Sequence, residues 1–171
     1  MHLRPELTPP VLDEAKVARL VRLAERLDES GEAPEVLRSL LDEFNREAGT
    51  DVGLDAFRGI YGVVDHGAWV RRLLSAGAAR VIPDVTYDEL LELTTRVCEH
   101  DGAAHEIEFW FAVLEKNVAD PQRLEPIYYP EAYSGGALGH DPGPREILDA
   151  ALAAPPARSF APPAGGGATG T

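Results

Sequence analysis

The chain reads as an all-α protein built of two similar four-helix units in tandem, and three observations carry that reading. Apolar residues recur at helical spacing through most of the length. Proline, glycine and capping residues cut the pattern into short helices, twice in the same order. The second set can be laid on the first with its apolar positions in register. At 171 residues, 44% hydrophobic and 26% charged, the composition is ordinarily globular, with room for one medium domain or two small ones.

Three prolines in the first ten residues make a poor helix start, so that stretch reads as a loose arm. From Asp13 a helix begins, with Val17, Leu20, Val21, Ala24 and Leu27 on one face and Arg19, Arg22, Glu25 and Arg26 on the other. After Gly31, Pro34 suits the first turn of a second helix, with an apolar stripe of Val36, Leu37, Leu40, Leu41 and Phe44 and a stop at Gly49. A short element covers 54–62. Asp65 then offers an N-cap to a short helix carrying Trp69, Val70, Leu73 and Leu74.

Residues 77–84 lose the periodicity and read as a linker between a first unit, 11–76, and a second, 85–153. In the second unit Thr86 and Glu89 form a capping box, with Val85 and Leu90 at the hydrophobic-staple positions. Leu90, Leu91, Thr94, Val97 and Cys98 make one helical face. The next helix, about 103–118, carries Ile107, Trp110, Phe111, Leu114 and Val118 and stops at Asp120-Pro121. A short aromatic element, 124–130, and a Gly/Pro-rich loop, 131–143, follow. Pro144 opens a final helix with Ile147, Leu148, Ala151 and Leu152. The Ala/Pro/Gly stretch 154–171 has no periodicity and is expected to be a disordered tail.

The repeat can be written residue by residue. An offset of 70 places Leu20 on Leu90, Val21 on Leu91, Leu27 on Val97, Leu37 on Ile107, Leu40 on Trp110, Leu41 on Phe111 and Phe44 on Leu114. A gap of three puts Ile60-Tyr61 on Ile127-Tyr128, and a further shift puts Trp69, Val70 and Leu74 on Ile147, Leu148 and Leu152. Each unit is near the lower size at which one core suffices, so the two are expected to pack together.

The net charge is −13, unevenly placed. Residues 1–80 hold 11 basic and 14 acidic residues, and 81–171 hold 5 and 15. A field of that sign repels phosphate backbones, so nucleic acid is not expected as a direct ligand, whereas a basic protein would be drawn in. No apolar run approaches the length of a membrane span. No apolar segment follows Met1-His2-Leu3-Arg4-Pro5-Glu6, so no secretory signal is expected. Cys98 is the single cysteine. The chain is expected to be soluble and cytoplasmic.

Catalytic readings find little support. Gly165-Gly166-Gly167 follows no strand and precedes no Lys-Ser/Thr, so it is not a phosphate loop. Cys98, with His100 and His105 nearby, invites a metal or nucleophile, yet it sits on the apolar face as a core thiol would. Asp65 is explained as a cap and His66 as an exposed first-turn residue. No catalytic, metal or cofactor residue is assigned, and no cofactor is expected.

What remains suits binding. The second unit gathers Phe109, Trp110, Phe111, Tyr128 and Tyr129 beside Glu106, Glu108, Glu115, Asp120 and Glu125. Successive helical side chains diverge by about 100°, so the three consecutive aromatics cannot share one side. Trp110 aligns with Leu40 and belongs in the core with Leu114. Phe109 or Phe111 is then partly exposed or covered by the other unit. Tyr128-Tyr129 sits between Pro126 and Pro130, which limits the entropy lost on binding.

Residues 85–130 resemble the colicin and pyocin nuclease immunity proteins. The likeness lies in Tyr87-Asp88-Glu89-Leu90-Leu91 through Thr94-Thr95-Arg96-Val97-Cys98, then an acidic helix, Asp120-Pro121, and Ile127-Tyr128-Tyr129-Pro130. The resemblance implies an acidic four-helix inhibitor that binds a basic nuclease toxin beside its active site, excludes the nucleic acid and performs no chemistry. It implies that Tyr128 and Tyr129 are the shared hot-spot pair and that Glu125 stands for the family's third-helix Asp. Ile107, Glu108, Phe111 and Glu115 would form the face that sets partner specificity. Three features depart from the pattern: Glu125-Pro126 replaces Asp-Leu, the loop 131–143 is longer, and the last helix lacks the family's Trp. The first unit, with Ile60-Tyr61-Gly62, matches only through the repeat and is expected to support the second. A monomer is the expectation, although the sequence does not set the oligomeric state. The rival readings are an acidic helical interaction module without a toxin partner and a helical enzyme using Cys98 and the histidines.

Overall fold

A computed structural model describes residues 3–29, 31, 33–58, 65–128 and 142–153. Six α-helices lie among them: α1 (Glu14–Asp28), α2 (Pro34–Ala48), α3 (His66–Gly77), α4 (Tyr87–Glu99), α5 (Ala104–Asn117) and α6 (Pro144–Ala153). Short 3-10 segments occur at Pro5–Leu7, Leu54–Ala56 and Pro121–Ile127. No strand is present among the described residues, and the all-α expectation holds. Ile60, Tyr61, Tyr129, Pro130 and the tail 154–171 lie outside the described residues.

The helix ends follow local chemistry. The Asp13 carboxylate accepts from the Ala15 and Lys16 amides, and that of Asp65 from Gly67 at 2.8 Å and Ala68 at 3.3 Å. At Thr86 the hydroxyl accepts from the Glu89 amide while the Glu89 carboxylate accepts from the Thr86 amide, closing the expected capping box. Pro34 occupies the first turn of α2. Gly49 ends that helix at φ 75°, a left-handed conformation that glycine adopts without a Cβ clash.

The buried apolar residues form two clusters. The first joins Val17, Leu20, Ala24 and Leu27 of α1 to Leu40 and Phe44 of α2, Phe57 and Val70. Phe44 and Phe57 meet edge-to-face at 4.9 Å, with the Trp69 ring 5.0 Å from Phe57. The second joins α4, α5, Leu124 and α6. Helix α3 packs against both α1 and α5, so it bridges the clusters. Most positions aligned between the two halves have matching burial, although Trp69 is half-buried where Ile147 is buried. Leu20 and Leu90, Leu27 and Val97, Leu40 and Trp110, Phe44 and Leu114, and Val70 and Leu148 are all buried. Val21 and Leu91, Leu37 and Ile107, and Leu41 and Phe111 are all half-buried.

Two expectations need correction. The opening residues are not loose: Leu7 is fully buried in the second cluster, and its carbonyl accepts from the Trp110 indole N–H at 3.0 Å. Arg4 ion-pairs with Asp84 at 2.9 Å and with Glu89 at 3.1 Å. Prolines forbid a long α-helix there but suit a single 3-10 turn, and a buried indole needs an acceptor. His66 is not exposed either. Its ring lies 3.2 Å from the Asp28 carboxylate, with both side chains largely covered.

The stretch 77–84 is tightly held. Ala79 and Ile82 are buried, and Asn117 at the end of α5 accepts from the Ile82 amide at 2.7 Å and donates to the Arg80 carbonyl at 3.0 Å.

Candidate protein-binding face

Helix α5 is surrounded on most sides. Trp110 and Leu114 face the second cluster, as their alignment with Leu40 and Phe44 requires, and Phe109, Ala112 and Val113 are buried as well. The partner on the far side is α3: the two helices make the most extensive helix–helix contact among the described residues. The run Phe109-Trp110-Phe111 is thereby resolved. Phe109 and Trp110 are buried, and Phe111 stays half-exposed.

The remaining arc of α5 carries Ile107 and Glu108, with Phe111 and Glu115 following at three- and four-residue steps and therefore on the same side of the helix. Ile107 is half-buried at its inner edge, packed on the second cluster. Pro121 and the Asp120 cap start the 3-10 segment after α5, and Leu124 pins it into the core. This brings Tyr128 over the arc, its ring edge-to-face on Phe111 at 4.6 Å. Tyr128 remains 42% exposed, among the most open large apolar side chains of the described residues.

Partial burial pushes the Tyr128 phenol up to about 12; Glu108 and Glu115 add to the effect and Arg72 opposes it. The hydroxyl thus stays protonated, a hydrogen-bond donor, across the physiological range. Desolvation also raises the Glu115 carboxyl, with Glu108 beside it contributing in the same direction. Four of the seven residues singled out from the sequence therefore converge: Glu108, Phe111, Glu115 and Tyr128. Glu125 is exposed on the 3-10 segment, and its carbonyl accepts from the Tyr128 amide at 3.0 Å. Tyr129 lies outside the described residues.

Arg72 was not legible in the sequence. It reaches across from α3 and donates to Glu108 Oε2 through Nη2 at 3.0 Å and through Nε at 3.3 Å. No pattern within α3 marks it, because its partner lies 36 residues away in the other half of the chain.

Cys98 is half-buried against the second cluster, and His100 is the exposed left-handed residue (φ 55°) that ends α4. Among the described residues no group of three or more His, Cys, Asp or Glu side chains is arranged to hold a metal ion. No helix among them is long and apolar enough to cross a membrane. Compared with protein-family models, characterised proteins and solved structures, the chain matches none.

Proposed function

We propose that the chain is a cytoplasmic immunity protein, without catalytic activity, that binds a basic bacteriocin-type nuclease domain and blocks it with the acidic aromatic face of α5 and the segment behind it. The observation that carries this reading is Tyr128, half-exposed and braced on Phe111 between two carboxylates. A large ring held in place loses little entropy on docking, and nearby negative charge favours a cationic partner. The likeness of residues 85–130 to the colicin and pyocin immunity proteins supports the same assignment, with Tyr129 as the second ring of the pair.

In this reading the chain is a tandem duplication. Helices α2 and α5 begin 70 residues apart, the segments at Leu54 and Pro121 begin 67 apart, and most paired apolar positions share their burial. The second unit binds, and the first supports it through α3.

The test is inhibition. The purified chain is titrated into a nucleic-acid cleavage assay of a basic bacteriocin nuclease recovered with it from the producing cell. Stoichiometric inhibition is expected, and Tyr128→Ala is expected to weaken it by roughly 2 kcal/mol or more in affinity. A retained partner that is not a nuclease would favour the acidic interaction module instead.

A further inference from the structure

The face of α2 that corresponds to the candidate binding face of α5 is also open, and its charge is reversed. Leu37 and Leu41 stand where α5 has Ile107 and Phe111, and both are half-buried. At the same 70-residue spacing Arg38 takes the place of Glu108, and at the 67-residue spacing of the short segments Arg58 takes the place of Glu125. These side chains surround a groove of about 380 Å³ lined by Pro34, Leu37, Arg38, Leu41, Leu54 and Arg58. Among the described residues no acidic side chain lines it.

The two guanidiniums differ in their engagement. Arg38 is exposed and has no ion-pair partner among the described residues; Glu35 and Asp42 are its neighbours three and four residues away on α2 and do not line the groove. Arg58 pairs with Asp55 at 3.1 Å, but the two side chains are 71% and 92% exposed. A pair so open to water contributes little and is readily exchanged for an incoming carboxylate. A leucine floor between two arginines is complementary to an amphipathic segment that offers an apolar side chain flanked by acids. A cationic nuclease surface does not meet that description.

We propose that this groove is a docking surface, which takes a short acidic amphipathic segment of another protein. The inference stands on the groove itself and does not depend on the immunity reading.

Fluorescence anisotropy of the full chain at low salt tests it with two labelled helical peptides of about 15 residues. They share leucines at i and i+4 and differ only in carrying Glu or Lys beside them. The Glu peptide is expected to bind at least about tenfold more tightly than the Lys peptide. Arg38→Gln with Arg58→Gln removes the preference, and Arg38→Glu with Arg58→Glu reverses it, whereas Tyr128→Ala leaves it intact. Both arginines are exposed, so the helical circular-dichroism melt serves as the check on folding. Equal affinity for the two peptides, tighter binding of the Lys peptide, or indifference to the arginine variants overturns the proposal. So does sedimentation in which the chain self-associates through these arginines, since the groove would then be filled by a second copy.

Discussion

Helices α2 and α5 begin 70 residues apart, each packs against the helix before it, and the two are built on different plans. Each buries the same stripe, Leu40 and Phe44 in one and Trp110 and Leu114 in the other. They part company on the adjoining arc. In α2 it carries Ser39, Asp42 and Glu43, all exposed; in α5 the corresponding Phe109, Ala112 and Val113 are buried. The difference is α3, which lies along α5 and leaves α2 facing water on that side. An amphipathic stripe is sufficient for a helix with one neighbour, whereas a helix with two needs apolar residues around most of its circumference. The lesson is that a run of aromatics too wide for one core signals a second packing partner, and that the exposed residue left over is where binding can occur.

Exchanging residues between the two helices is the most severe test of that contrast. Phe109→Ser gives α5 the residue of its counterpart and is expected to cost about 3–5 kcal/mol of stability in urea unfolding. The reciprocal Ser39→Phe should change it by no more than about 0.5 kcal/mol. Similar costs for the two would show that α3 does not cover α5. Next in size is Leu7→Ala, expected to destabilise by about 2–5 kcal/mol because the arm fills the second cluster and not the first. Hydrogen exchange should then rise in α4 and α5 more than in α1 and α2.

Smaller effects address the charges. Arg72→Ala is expected to shift stability by less than about 1 kcal/mol, since its pair with Glu108 is partly exposed. Association with a cationic partner should nevertheless become faster and more salt-dependent, because Glu108 is released into the face. Stopped-flow mixing at two ionic strengths reads this out, and an unchanged rate would remove Glu108 from the steering charges. Arg4 carries the smallest effect. Its hydrogen bond holds the Asp84 carboxyl below the usual aspartate range, so the folded value is depressed. That contribution is present above the ordinary aspartate pKa and is lost as the pH falls through the depressed one. Arg4→Ala should therefore flatten this part of the acid limb of an unfolding-versus-pH curve and leave neutral pH little affected.

Much of the candidate face was legible one helix at a time. The spacing of Ile107, Glu108, Phe111 and Glu115 requires a common arc, and Asp120-Pro121 requires a stop that returns the chain towards it. Tyr128 over Phe111 is a near-neighbour consequence of that turn. Arg72 on Glu108, Leu7 beneath Trp110 and Asp28 against His66 were not legible, because each joins residues that no local periodicity relates. The loose arm was misread for the same cause: proline content rules out a long helix but is silent on what a single turn packs against.

The sequence by itself determined the helices and their ends, through caps, prolines and apolar spacing that act within a few residues. It also determined which stripe of each helix is apolar, since that is a property of the pattern alone. Only the tertiary structure decided that α3 lies along α5, that the opening residues close the second cluster, and that an arginine from the first half sits beside the acids of the second. Those choices depend on matching shapes and charges across distant segments, and the free energy of such contacts is defined only when both surfaces are folded and brought together.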